Sequence, residues 1–175
     1  MVLRIETALR NGLAGLALST ALGVPALAAE GEIILALPSE PTSVDACDDS
    51  TNANARVLRG NVVEALTQLS PDAGGEVMPL LATEWTRVDD NNWLFTLREG
   101  VTFHDGEPLD AEAAVYGINR IMNAELNCGT LPLIRTPTAA SVESDMVVRL
   151  TTEDPDPILP ARMAYIDLPS PSTPL

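Results

Sequence analysis

Apolar and polar residues alternate from Trp93 to Arg98. Trp93, Phe95 and Leu97 fall on one side of an extended chain, and Leu94, Thr96 and Arg98 on the other. A period of two is that of a half-buried β-strand. Glu99-Gly100 supplies a turn, because glycine accepts a positive φ that strains other residues. Val101 and Phe103 then predict a second short strand, so 93–103 reads as a hairpin. Asp105-Gly106 is a further turn signal. Asp110 reads as an N-cap, its carboxylate able to accept from the open amides of a first helical turn. Ala114, Ile118, Ile121 and Met122 then share one face of a helix over Ala111–Met122. Gly117 weakens that helix slightly and leaves space for a neighbouring strand.

The remaining elements follow from the same patterns. Ile33-Ile34-Leu35, within Glu32–Leu37 and bounded by Pro38, predicts a first, central strand. Leu58, Val62, Leu66 and Leu69 recur at i, i+4, i+8 and i+11 and predict a helix over Thr51–Leu69. Leu80–Trp85 is expected to make a short helical turn leading into a strand, and Asp89–Asn92 a polar turn between strands. Met146, Val148 and Leu150 alternate with Val147 and Arg149, which predicts strands at Ala140–Val142 and Met146–Thr151. Ile158–Tyr165 reads as a short helix with Pro157 near its first position. Trp85 and Trp93 are assigned to the core, since buried aromatics contribute large apolar areas. From Asp167 to Leu175 no buried pattern is visible; a frayed end or a junction where the reading frame was lost both fit its three prolines. The fold class expected is mixed α/β (α+β), a sheet built on the 93–103 hairpin and the 146–151 strand and covered by helices near 53–69 and 110–123.

The first 28 residues read as a secretory leader. Arg4 and Arg10 give a positive start, Gly12–Val24 is apolar and uncharged, and Ala26-Leu27-Ala28 is a small-x-small cleavage site. The apolar run is shorter than the ~20 residues of a membrane span, and no cysteine adjoins the cleavage site to carry lipid. Residues 29–175 are then expected in a periplasm, without a membrane anchor.

Charge narrows the partners. The net charge is −15, and loss of Arg4, Arg10 and Glu6 with the leader would take it to −16. All ten basic residues are arginine. Such an acidic surface disfavours nucleic acid and anionic membrane. Catalytic chemistry finds little support. His104 is the single histidine, so a Ser-His-Asp site or a histidine-based metal site would depend on it, and it reads as part of the Asp105-Gly106 turn. No Gly-x-Ser-x-Gly and no His-Glu-x-x-His occurs. Asp89-Asp90 lacks the glycine and later glutamate of a calcium loop. The chain is therefore read as a non-enzyme with no metal and no cofactor. Cys47 and Cys128 are the only cysteines. In an oxidising compartment they point to a disulfide, with two buried thiols as the alternative.

The run Trp93-x-Phe95-x-Leu97-Arg98-x-Gly100-Val101-x-Phe103-His104-Asp105-Gly106-x-Pro108-Leu109-x-Ala111, followed by a helix ending in Arg120, resembles the signature of the extracellular solute-binding proteins of family 5. These are the peptide, dipeptide and nickel class that serves ABC transporters. Asn61–Leu66, Pro79–Trp85 and Asp89-Asp90 fit the same pattern, and the likeness extends from about Ile33 to about Tyr165. It implies the N-terminal part of a two-lobe periplasmic binding-protein fold, with the second lobe beyond residue 175. It also implies capture of a peptide or similar small solute for delivery to the transporter's permease subunits. The family segment Pro-x-x-Leu-Asp-Pro runs along the cleft; here Pro41-Thr42-Ser43-Val44-Asp45-Ala46 occupies its place, with Val44 and Ala46 departing from it. Thr42, Ser43 and Asp45 are thus candidate ligand contacts, against the plainer reading of a polar surface turn. Nickel suits a chain with one histidine least among the family's solutes. Two other readings stay open: a free-standing periplasmic interaction module that pairs through a sheet edge, and a small exported enzyme that depends on His104.

Overall fold

The computed structural model describes residues 36, 45, 47, 58–72, 74–123, 125, 126, 128, 129 and 139–174. The chain divides into two units, Met1–Ala36 and Leu37–Leu175. The architecture below belongs to the second. The predicted leader and the predicted strand at 32–37 lie outside the described residues, apart from Ala36.

Among the described residues, two antiparallel sheets organise the unit. β1 (Thr67–Leu69) pairs with β2 (Val77–Pro79). β3 (Ala82–Arg87), β4 (Asn92–Leu97), β5 (Ala139–Ser144) and β6 (Val147–Thr151) form a four-stranded sheet in the order β3-β4-β6-β5. The alternation read in the sequence sets which face is buried. Trp93, Phe95 and Leu97 of β4 point inward, and Trp93 pairs with Leu150 and Phe95 with Val148 across β6. The Asp89–Asn92 run is the expected turn: Asp89 Oδ1 accepts from the amides of Asn91 at 2.9 Å and Asn92 at 2.8 Å.

The helix α1 (Ala111–Met122) covers the inner face of the sheet. Its N-cap is Asp110, whose carboxylate accepts from the Ala113 amide at 2.8 Å. Ala111, Ala114, Ile118 and Ile121 join Phe95, Val148, Leu150 and Ala140 in one core. Full burial of each large apolar side chain contributes about 1.5–3 kcal/mol. Trp93 belongs to this core, its indole N–H donating to the Asp156 carbonyl at 3.2 Å, and Trp85 packs on the edge with its ring 6.3 Å from that of Phe95. α2 (Leu159–Arg162), continued by a 3-10 turn at Met163–Tyr165, adds Leu159 and Met163.

Four expectations need correction. Val101 and Phe103 do not form a strand, and the strand beside β4 in the hairpin is β3. Residues 101–109 fold back on themselves, with Thr102 bridged to Pro108 and Phe103 N–H donating to Glu107 O at 2.8 Å. Leu109 N–H donates to Val101 O at 2.9 Å on the other side of this bridge, and the Asp105-Gly106 turn closes it after a single pair. The helix expected over 51–69 is present at Leu58, the first of its described residues, and fails beyond it. Gly60, at φ 73°, turns the chain after Leu58, Val62 is exposed, and Thr67–Leu69 is β1. Ala65, Leu66 and Thr67 are buried in succession, which no single helical face allows. Leu80–Trp85 makes no helical turn: Ala82 begins β3, and its amide donates to Leu66 O at 2.8 Å. Finally, residues 167–174 are tied down. Asp167 bridges Ala65, Leu168 N–H donates to Glu64 O at 2.9 Å, and both side chains are buried.

Candidate functional site

The buried side of α1 carries small residues at Ala113 and Gly117, and one helical turn further along that side stands Arg120. The backbone space left by the small residues lets the 168–174 segment come close, and the arginine then meets two chain segments at once. Arg120 is 4% exposed. Its Nη1 and Nη2 donate to Oδ1 and Oδ2 of Asp45 at 3.0 and 2.7 Å, and its Nε donates to the Pro174 carbonyl at 2.8 Å. The planar guanidinium matches a carboxylate with two parallel bonds, which fixes direction as well as distance. Asp45 Oδ1 also accepts from the Cys47 amide at 2.9 Å. The Arg120 guanidinium holds the Asp45 carboxyl below its ordinary value; partial burial opposes this, and the Cys47 amide assists it.

Cys47 is bonded to Cys128. Gly129 N–H donates to the Cys47 carbonyl at 3.1 Å, so the two cysteine segments are joined by backbone as well as by sulfur. Both cysteines are buried.

Asp45 lies on the wall of a cavity of about 510 Å³. The 60–64 turn, the 101–105 segment and Leu168–Ser170 form its other walls, with Leu81 and Leu109 in the floor. The rim is polar. Glu64 pairs with Arg98 at 3.3 Å. His104 is exposed, and its Nε2 lies 3.0 Å from the Val62 carbonyl, which can only accept, so this nitrogen carries the proton. Asp105 accepts from the Ser170 and Ser172 hydroxyls and from the Glu107 amide. The two hydroxyls, Ser170 first, bring its carboxyl down to about 2. The result is a concave surface with an apolar floor and polar groups at its edge, the usual form of a small-molecule site. Among the described residues no group of three or more His, Cys, Asp and Glu side chains gathers as a metal site, and no helix is long and apolar enough to cross a membrane.

Of the candidate ligand contacts, Asp45 lines this cavity, with its carboxylate turned to Arg120, while Thr42 and Ser43 lie outside the described residues. Arg120 was not assigned a role from sequence. The one available signal was a charged residue placed i+3 from Gly117 and i+7 from Ala113, on the side of the helix otherwise kept small.

Comparison with known proteins gives this geometry a family. Residues 76–173, more than half of the chain, match the family described as bacterial extracellular solute-binding proteins, family 5 middle. The chain belongs to that family. It is similar to the periplasmic murein peptide-binding protein MppA of Escherichia coli, 32% identical over 111 residues, which are 62% of this chain and 20% of MppA. It is also similar to the nickel-binding periplasmic protein of Escherichia coli, 39% identical over 71 residues, which are 40% of this chain and 13% of that protein. Among solved structures, Burkholderia pseudomallei OppA superposes with a TM-score of 0.65 at 21% identity, covering 75% of this chain and 29% of OppA. The fold is thus that of a periplasmic binding protein, in part: the chain spans at most a fifth of the two relatives and under a third of OppA.

Proposed function

We propose that this chain is part of a periplasmic solute-binding protein that captures a peptide or similar small solute for an ABC transporter, and that it performs no catalysis. The match over residues 76–173 carries this reading. Binding would be non-covalent, with cleft backbone and polar groups satisfying the solute while a second lobe closes over it and excludes water. That closure is proposed for the whole protein, since the chain spans only part of its relatives. In this reading residues 1–28 direct export and residues 29–175 belong to one lobe. The 42–45 segment runs along the cleft, Thr42 and Ser43 offer contacts, and Asp45 is anchored by Arg120.

Peptides are taken as the first solute class, since the chain offers a metal only one histidine. Native mass spectrometry of the full gene product, mixed with di- to pentapeptides and with a nickel–histidine complex, tests the assignment. Retention of peptide mass is expected. Retention of the nickel complex alone would move the solute class, and retention of neither would count against the reading. Purified residues 29–175 are expected to give no saturating heat with the same peptides, because one lobe supplies only one side of the clamp.

A further inference from the structure

We propose that the Arg120–Asp45 ion pair and the Cys47–Cys128 disulfide form one redox-sensitive latch: the ion pair seats Cys47 against Cys128, and the bridge in turn holds Asp45 on the cavity wall. Both ties cross the same gap. Asp45 and Cys47 are two residues apart on one side of it, and Arg120 and Cys128 are eight apart on the other. The ion pair spans 75 residues of chain and the disulfide spans 81. Whichever forms first bears the entropy of closing that long loop; the second then closes a ring of two plus eight residues. Each tie therefore raises the effective concentration of the other's partners.

Hydrogen bonding carries the coupling between the two ties. Asp45 Oδ1 accepts from Arg120 Nη1 and from the Cys47 amide together, so a carboxylate held on the arginine fixes the backbone at the cysteine. Gly129 N–H meets the Cys47 carbonyl from the opposite side, next to Cys128. By linkage, whatever factor the ion pair adds to bridge formation, the bridge adds to the ion pair. Opening the bridge takes two thiols of a small reductant such as glutathione. The Sγ–Sγ bond breaks, Cys47 and Cys128 each take up a hydrogen, and the two glutathiones are oxidised to one glutathione disulfide. Asp45 then keeps its bonds to Arg120 without the covalent tie beside it.

The test measures the equilibrium constant for bridge formation in the folded full chain, equilibrated in glutathione buffers and quenched by thiol alkylation. Arg120→Met is expected to lower the constant about tenfold, Arg120→Lys less, because lysine keeps the charge and loses the two-point fork. Asp45→Asn, which keeps the shape of the side chain, serves if Arg120→Met does not fold, and is expected to lower the constant in the same direction. Thr67→Val is the control: it removes a buried hydrogen bond to the Pro160 carbonyl, remote from the latch, and is expected to leave the constant unchanged. A constant unaltered in folded Asp45→Asn, or lowered as much by Thr67→Val, overturns the latch.

Discussion

Gly117 of α1 lies against Leu168: a methyl group on Gly117 would stand 3.5 Å from Leu168 Cα and 3.2 Å from both Leu168 Cδ2 and Pro169 Cδ. The helix and the 167–174 segment are therefore as close as two backbones with one side chain between them. This contact brings Tyr116 and Arg120 within reach of the carbonyls of Thr173 and Pro174.

Two opposed effects decide substitutions at Gly117. Alanine gains about 1 kcal/mol of helix propensity over glycine, but its methyl needs Leu168 and Pro169 to move by a few tenths of an ångström. Gly117→Ala is expected to change stability by less than about 1 kcal/mol. Gly117→Val adds two further carbons where no space exists, and overpacking of that kind costs about 1–3 kcal/mol. Urea denaturation of both variants checks the pair; a valine variant as stable as wild type would mean that the segment is not held there.

Asp105 is expected to set part of the acid limit. Its carboxyl stands at about 2 in the folded chain against an ordinary 3.8, through the Ser170 and Ser172 hydroxyls. A depressed folded value means stability that is fully present above 3.8 and is lost as pH falls through about 2. Asp105→Asn is expected to flatten the fall of Tm over that interval and to leave its slope at neutral pH unchanged. Thermal unfolding in a pH series reads this directly, and an unchanged acid slope in the variant would assign the fall to other carboxylates.

What the sequence made legible was whatever depends on neighbours in the chain. The β4 alternation, the Asp89–Asn92 turn and the Asp110 cap are local patterns, and each takes its expected form. The successive burial of Ala65, Leu66 and Thr67 is not local. It arises because Leu81 and Ala82 amides bond to the carbonyls of Ala65 and Leu66 while the Thr67 hydroxyl donates to Pro160 O at 2.6 Å. The 167–174 segment likewise looked unpatterned because Leu168 is its one apolar residue in the core, too few to show a period, and the rest is held by side chains of α1 and Asp105 acting on its backbone and serines. At the site, Asp45 could be singled out by resemblance, but its arginine is 75 residues away and nothing in the spacing links them.

The Asp110 cap offers a measurement of how much α1 depends on its first turn. The carboxylate satisfies the Ala113 amide, one of the helix's open donors. Asp110→Ala is expected to destabilise the fold by about 1 kcal/mol, and Asp110→Asn, which keeps an acceptor, by appreciably less. Chemical denaturation with far-ultraviolet circular dichroism follows both. Equal losses would show that the charge at the helix start matters more than the accepted bond.

The largest single effect is expected at the cysteines. A bridge closing 81 residues restricts the unfolded chain by an amount the chain-entropy model puts at about 4 kcal/mol. Replacing both residues, Cys47→Ser with Cys128→Ser, should therefore cost more than any substitution considered above while leaving the β4–β6 pairing and α1 intact, since neither element contains a cysteine. The source of the effect can be identified from the slope of denaturation. If the bridge acts on the unfolded state, the double variant unfolds to a more expanded chain and its m-value rises, whereas loss of native packing alone lowers the midpoint at constant m. Urea titrations of the oxidised protein and the double-serine variant separate the two. A loss under about 1 kcal/mol with no change in m would mean that the 45–47 and 120–129 segments already stay together when the rest of the chain is unfolded.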